Sequence, residues 1–383
     1  MKRLMLVSPY LQFMIATNLV INMFDKDDVT DLLIIDDAPI YKQVEERARE
    51  TKLFRNVGIA MMLTHFQNIH NVSKAREKLD LVKMTLLDTE NTYLGNVFYP
   101  DAYDYDEVWF YDFQWHFYGL IDILHKHHCD PKFIRFDEAM FSSASPVFNP
   151  GHLGPKYRFM RKLRSIKGMR NPDEIVNDYY YFFKEALGKN VVDNYNIHKM
   201  PLFNRNDDKL KSICNYVFNI DEKTCECRQK YLYFASGFEI DKYTIHETEL
   251  ILKIAEIVGK DNLIVKQHPR DNRTTLSDAG ITVMKNTTAP WEAIAMNMNL
   301  DNKCMLNLNS SSVSQSSALL DLTNPSLFLM ELLRGQDPKI DKYWNDTKRM
   351  LLNLKENGIC TNCHIIESMY ELNKWLIDFN NAT

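Results

Sequence analysis

Short apolar runs, each paired with a helical pattern, recur along this chain in two series. The first holds Leu4–Val7, Leu32–Ile35, Val57–Met62, Val108–Tyr111 and Phe133–Phe136. Helical patterns lie between them: one reaching about Phe24, then Tyr41–Glu50, Val72–Leu86, and a run through Phe117 and Ile121 to His125. Runs that are largely apolar suit strands buried on both faces, and their alternation with helices predicts a parallel sheet covered on both sides. A second series starts near Asn206. It reads as helix Asp208–Val217, strand Tyr231–Phe234, helix Glu247–Gly259 and strands Leu263–Val265, Ile281–Met284 and Met305–Leu308. Helices around Ile340–Asn357 and Glu367–Asn380 follow. Residues 142–207 read as less regular, with a turn-rich Ser145–Pro155, a basic stretch and an aromatic run at Tyr179–Phe183. The expectation is two α/β domains, residues 1–205 and 206–365, and a closing helix over 366–383. A length of 383 residues accommodates two.

The formal net charge of −5 offers nucleic acid no general attraction. Seven cysteines, an odd and scattered set, suit a reducing compartment rather than a disulfide scaffold. Cys360-Thr361-Asn362-Cys363-His364 matches a haem-attachment pattern, and Cys225 and Cys227 could add zinc ligands, but nothing else supports either; free thiols are the expectation. The opening Met1-Lys2-Arg3 and the apolar run after it superficially resemble a signal peptide. Pro9, Gln12, Asn18 and Asn22 interrupt that run, so it reads as a first strand, a loop at Ser8-Pro9-Tyr10 and an amphipathic helix. No stretch reaches the ~20 apolar residues of a membrane-spanning helix. A cytoplasmic location is expected.

Four constellations carry chemistry. Lys266-Gln267-His268-Pro269-Arg270 follows the Leu263–Val265 strand, so a histidine between two cations stands at a strand end, where open α/β sheets bind ligands. Neighbouring cations bias His268 toward the neutral ring, which donates one hydrogen bond to a phosphate oxygen while Lys266 and Arg270 supply charge. The plainer reading is a surface strand end. Asp137 and Glu138 end the Phe133–Phe136 strand; alternation lets only one of them face a cleft, where a carboxylate takes a proton from a hydroxyl. A helix cap or solvated loop acid fits equally. Asn309-Ser310-Ser311-Ser312 follows the Met305–Leu308 strand and opens a helix, a combination that makes an anion site from hydroxyls and backbone N–H groups, or simply a capped serine-rich loop. Glu292, in Pro290-Trp291-Glu292, opens a further helix, where an acid accepts from ribose hydroxyls or merely steadies the helix dipole.

In this order the motifs resemble those of the bacterial GT-B sialyltransferases, glycosyltransferase family 52 and its polysialyltransferase relatives. The matches are Asp137-Glu138-Ala139, His268-Pro269 and Ser310-Ser311, and Ser8-Pro9-Tyr10-Leu11-Gln12 is similar to that family's first loop. The resemblance covers about residues 1–365. It implies the α/β GT-B fold, two facing Rossmann-like domains with parallel sheets. It implies an inverting sialyltransferase that moves sialic acid from CMP-sialic acid to a hydroxyl of a cell-surface glycan. Asp137, or Glu138 beside it, would be the base. His268 would bind the CMP phosphate, with Lys266, Pro269 and Arg270 around it. Ser310, Ser311 and Ser312 would hold the same phosphate and Glu292 the ribose. No metal or cofactor is implied, the CMP-sugar being a substrate; Asp104-Tyr105-Asp106 matches an Asp-x-Asp pattern but lies in an aromatic, acidic loop. Ala139 departs from the family's glycine, which puts the acidic motif in question; Asp241, Glu247 and Glu249 are the substitute bases. The same residues suit another CMP-activated acid such as a Kdo-type sugar, or a non-catalytic nucleotide- or glycan-binding relative. The acceptor would be a glycan, lipid-linked or free. Lys156–Arg170 carries seven cations and no acid, so it reads either as a solvated helix face or as a contact with anionic lipid at the inner face of the cell membrane.

Overall fold

The computed structural model describes residues 1–36, 39–60, 104–111, 115–137, 155–187, 193, 195–221, 225–268, 270–284 and 289–382. Glu138, Ala139, Pro269 and the helix expected over Val72–Leu86 lie outside these. The chain divides into two compact units: residues 1–201 with 212–218, and residues 202–211 with 219–383.

Unit 1 is built on seven parallel strands: β1 (Lys2–Val7), β2 (Val29–Ile35), β3 (Val57–Ala60), β4 (Glu107–Phe110), β5 (Lys132–Phe136), β6 (Val176–Tyr181) and β7 (Asn196–Lys199). They run in the order β3-β2-β1-β4-β5-β6-β7. Leu4 to Val7 are all buried, as apolar residues of both parities must be when helices cover both faces. The helices are α1 (Leu11–Asn22), α2 (Tyr41–Glu50), α3 (Trp115–Lys126) and α4 (Pro155–Ile166). α1 is not amphipathic as expected. It is buried almost all round, and its polar Thr17 and Asn18 are satisfied by Phe13 O at 2.9 Å and Pro201 O at 2.8 Å. The irregular reading of residues 142–207 also gives way, to α4, β6 and β7. β7 is a sheet-edge strand of mixed polarity, Asn-Ile-His-Lys, without the apolar run that marks a central strand. His198 on it meets Asp178 of β6 at 2.8 Å, and Lys132 of β5 meets the same carboxylate at 3.1 Å.

Unit 2 has six parallel strands: β8 (Tyr231–Phe234), β9 (Leu263–Lys266), β10 (Thr282–Val283), β11 (Cys304–Asn307), β12 (Ser326–Phe328) and β13 (Cys363–Ile365). β12 and β13 have three residues each, too few to show a pattern in sequence. The helices are α5 (Asp208–Phe218), which the division between units crosses, α6 (Glu247–Val258), α7 (Trp291–Asn297), α8 (Ser311–Leu319), α9 (Pro338–Glu356) and α10 (Met369–Ala382). α9 starts sharply: Asp337 caps Lys339 N and Ile340 N, with Pro338 in the first turn. α10 belongs to unit 2, where Tyr231 Oη donates to Leu376 O at 3.0 Å. All seven cysteines are free thiols. Cys363 and His364 are consecutive on β13, so their side chains leave opposite faces of the sheet. The acids of Asp104-Tyr105-Asp106 serve the fold: Asp104 pairs with the Lys2 ammonium, and Asp106 accepts from Lys2 N at 2.7 Å. Among the described residues, no helix is long and apolar enough to cross a membrane.

Candidate functional site

The sheet of unit 2 runs β10-β9-β8-β11-β12-β13. Counted within the unit this is 3-2-1-4-5-6, so the connections leave in opposite directions from the β8–β11 pair. At that point the loops after two neighbouring parallel strands splay apart, and α/β sheets of this order hold ligands there. β9, β8 and β11 are adjacent and parallel, so the residues after Lys266, Phe234 and Asn307 share one edge.

His268 stands two residues beyond β9. The Arg270 N–H donates to its Nδ1 at 3.2 Å. A nitrogen that accepts cannot carry the proton, so the neutral ring presents Nε2–H as a donor. Burial holds the His268 pKa below its ordinary 6.5, and the Arg270 and Lys266 charges push it the same way. The loop after β8 passes close by: a Cβ placed on Gly237 would stand 3.1 Å from Arg270 Nη2 and 3.4 Å from His268 Cδ2. That loop and the one carrying His268 are tied twice. Arg270 grips Asp241 bidentately at 2.7 and 2.9 Å. Arg273 joins Asp271 at 2.7 Å to Glu239 at 2.6 Å. Ala235 N to Lys266 O, 3.0 Å, extends the ladder beneath them.

The same contacts show where the substitute bases stand. Asp241 is committed to Arg270, and Arg270 is therefore not an unpaired cation. Glu249 is exposed beside His246. Glu247 is buried and its two oxygens accept Ser236 N at 3.0 Å each, the Ser236 hydroxyl and Tyr233 Oη at 3.1 Å. It anchors the start of the loop that carries Gly237. Burial still pushes its pKa up to about 7. Sequence reasoning missed this role because Glu247 opens a helix, where an acid is ordinary. The small pair Ser236-Gly237 after an apolar strand was the available signal.

On the other side of the switch point, β11 leads into α8 through Leu308, Asn309 and Ser310. Ser310 N donates to Asn307 Oδ1 at 2.8 Å, and no side chain caps the helix. Ser310, Ser311 and Ser312 are partly exposed, and their hydroxyls donate to none of the described residues. Ser314 and Ser316 instead bond back to Ser311 O and Val313 O. Asn309 is 7% exposed, yet neither atom of its amide has a hydrogen-bond partner. A buried amide left unsatisfied costs about 1–3 kcal/mol, so a water or a ligand group would complete it. The open helix start adds N–H groups and the positive end of the dipole.

Glu292 lies in the first turn of α7, which Trp291 fixes by an Nε1–Ser316 Oγ bond of 3.0 Å and an edge contact with Phe234 at 4.7 Å. The carboxyl is 3% exposed and its Oε1 has no partner among the described residues. Burial pushes its pKa up to about 7, against the pull of Lys266. Burial likewise lowers the Lys266 pKa, against the pull of Glu292. Each feels the other, but among the described residues they form no ion pair.

Asp137 belongs to unit 1, directly after β5. It is 3% exposed, and its N–H extends the ladder to Tyr180 O at 2.8 Å. Its charge helps to raise the pKa of the Tyr181 phenol, after burial, while Arg135 opposes. A polar cavity of about 520 Å³ opens elsewhere in unit 2, lined by Arg205, Asp301, Lys303 and Asn324 among others. It lies at the start of β11 and β12, the edge opposite the loops that carry His268 and Ser310. The candidate site is assigned from those loops, because they carry His268 and Ser310 at one edge of the sheet.

No family model and no curated protein matches the chain. Among solved structures it is similar to the kitacinnamycin glycotransferase, with a TM-score of 0.53 at 10% identity over 99% of this chain and 90% of that one. UDP-GlcNAc 2-epimerases also align, from Methanocaldococcus jannaschii (TM-score 0.48, 11% identity, 100% of this chain and 92% of that one) and from Neisseria meningitidis (0.48, 12%, 100% and 100%). The glycotransferase match spans both units. With two Rossmann-like parallel sheets of seven and six strands, the chain has the α/β GT-B fold.

Proposed function

We propose that this chain is a nucleotide-sugar-dependent glycosyltransferase, and that its donor is CMP-sialic acid. The observation that carries the reading is the placement of two anion-seeking groups at one edge of the sheet, on the strands either side of β8: the His268 Nε2–H donor after β9 and the uncapped α8 start after β11. The fold it shares with a glycotransferase supports the class. One neutral imidazole, three serine hydroxyls and one helix terminus suit a single phosphate better than a diphosphate clamp, which supports a CMP-linked sugar.

In this reading the bond from the anomeric carbon to the CMP phosphate oxygen breaks, and its electron pair stays on the phosphate. His268 and the N–H groups and hydroxyls of Ser310, Ser311 and Ser312 stabilise that anion. Glu292, with one oxygen unpaired, accepts from the ribose hydroxyls. The acceptor hydroxyl forms the new bond and gives its proton to Asp137, or to Glu138 beside it. No metal is required by a monophosphate leaving group held in this way. The acceptor is a cell-surface glycan. A Kdo-type CMP-sugar meets the same phosphate and ribose groups, and Ala139 in place of glycine keeps a binding-only relative as the second reading.

The test is a donor panel. Purified protein is titrated with CMP, UMP and TMP, and assayed for CMP release from CMP-Neu5Ac and CMP-Kdo beside UDP- and TDP-sugars, with galactosides and sialosides as acceptors. Saturable CMP binding with turnover of CMP-Neu5Ac supports the proposal. Turnover of a UDP-sugar without CMP binding overturns the donor assignment, and CMP binding without turnover of any donor favours the binding-only relative.

A further inference from the structure

The basic helix α4 has a fixed rotation. Arg164 is buried against α3, bidentate to Asp122 at 2.6 and 2.7 Å and bonded to Arg170 O at 2.8 Å. With Arg164 inward, the helical repeat of about 100° per residue puts Arg158, Lys162, Ile166 and Phe159 within an arc about 100° wide on the opposite side. That arc is exposed: Phe159 is 56% and Ile166 73% accessible.

Five of the seven cations of the stretch separate into two groups. Arg161 is paired with Glu174 at 3.0 Å, and Arg170 with Asp130. Together with Arg164, these consume the nearby acids Asp122, Asp130 and Glu174. Arg158 and Lys162 form no ion pair with any described residue. Among the described residues, the outward face therefore shows two uncompensated cations beside two large apolar side chains. The C-terminal turn of α3 and the residues after it, His125-Lys126-His127-His128, are exposed as well and add no acid.

We infer that this face of α4 docks on an anionic lipid bilayer, with Phe159 and Ile166 at the boundary of headgroups and acyl chains and Arg158 and Lys162 against lipid phosphates. The mixture selects the partner. A nucleic acid is held by many cations and counterion release, and two unpaired cations on a chain of net charge −5 are too few. A bilayer rewards the pairing of apolar insertion with a few basic residues on one helix face. The inference stands apart from the donor assignment, and neither depends on the other.

The experiment is co-sedimentation of the full chain with vesicles of phosphatidylcholine alone and with about 30% phosphatidylglycerol added, a content chosen for surface charge. Binding to the anionic vesicles, weakened by salt and weak on phosphatidylcholine, is expected. Lys162→Glu should cut it about tenfold through charge, and the double variant Phe159→Ser/Ile166→Ser about tenfold or more through lost burial. All four side chains point outward, so circular dichroism, thermal unfolding and CMP titration should match the parent protein and separate lost docking from lost folding. No binding to anionic vesicles, equal binding to neutral ones, or binding indifferent to both variants overturns the inference. So does capture by RNA that Lys162→Glu abolishes and the double serine variant leaves intact, which would assign the face to a polyanion.

Discussion

Replacing Glu292 by glutamine should make the protein more stable above neutral pH and a poorer nucleotide binder. The carboxyl is buried, one oxygen is unpaired, and its pKa stands at about 7 against an ordinary 4.5. The sign follows from proton linkage. Below pH 4.5 the group is neutral whether the chain is folded or not. As pH rises toward 7 the unfolded chain releases the proton and the folded one keeps it, so the stability contributed by the neutral carboxyl is lost as pH rises through the folded pKa. A displacement of about 2.5 units at 1.36 kcal/mol each makes this loss ~3 kcal/mol between pH 4 and pH 8. Glutamine has no proton to lose. Urea unfolding of both proteins across that range should show their difference swinging by ~3 kcal/mol in favour of the Glu292→Gln variant at the alkaline end. The attraction of Lys266 for ionised Glu292 is already contained in that value. Calorimetric titration with CMP completes the assay. If ribose hydroxyls donate to this carboxylate, CMP binding releases protons near pH 6, and Glu292→Gln weakens binding about tenfold. A pH-independent stability difference between the two proteins would refute the burial argument, and unchanged CMP affinity would refute the ribose role.

His268→Ala should lower turnover about 100- to 1000-fold with the fold intact, since it removes a donor to a developing phosphate anion; near-parental kcat in the folded variant would end the phosphate role. Glu247→Ala leaves Ser236 N–H, the Ser236 hydroxyl and the Tyr233 hydroxyl without their acceptor, so thermal unfolding should report a loss of ~3–5 kcal/mol; a loss under ~1 kcal/mol would mean the loop does not depend on it. Asp137→Asn and Glu138→Gln, assayed as a pair, should leave CMP affinity unchanged while one of them loses transfer about 100- to 10,000-fold; if both retain transfer, the base is elsewhere. Turnover should survive EDTA, and full loss that Mg²⁺ or Mn²⁺ restores would contradict a metal-independent phosphate site.

Much of the fold follows from the sequence alone, for a physical reason. A central parallel strand is buried on both faces, so runs such as Leu4–Val7 and Tyr231–Phe234 are apolar throughout, and Met305–Leu308 is apolar but for the buried Asn307, so they stand out unaided. His268 and Ser310 were legible for the same reason, as polar residues immediately after such runs. Sheet edges and three-residue strands carry no such demand, which is why β7, β12 and β13 were not seen, and β6 was missed because its first half, Val-Asn-Asp, breaks the apolar run. Strand order is a matter of pairing between distant segments, and only the tertiary structure decides it. That order puts the ends of β9, β8 and β11 side by side and so makes one site of residues far apart in the chain. Packing also decides which charges are available. Arg270 is spent on Asp241, 29 residues away, and Glu247 on Ser236 and Tyr233, while Glu292 and Asn309 are buried with partners missing. In sequence all of these are simply polar residues near strand ends. Lys156–Arg170 divides in the same way: seven cations are legible at once, but only the tertiary structure separates Arg158 and Lys162, beside bare Phe159 and Ile166, from Arg161, Arg164 and Arg170, which are paired with acids.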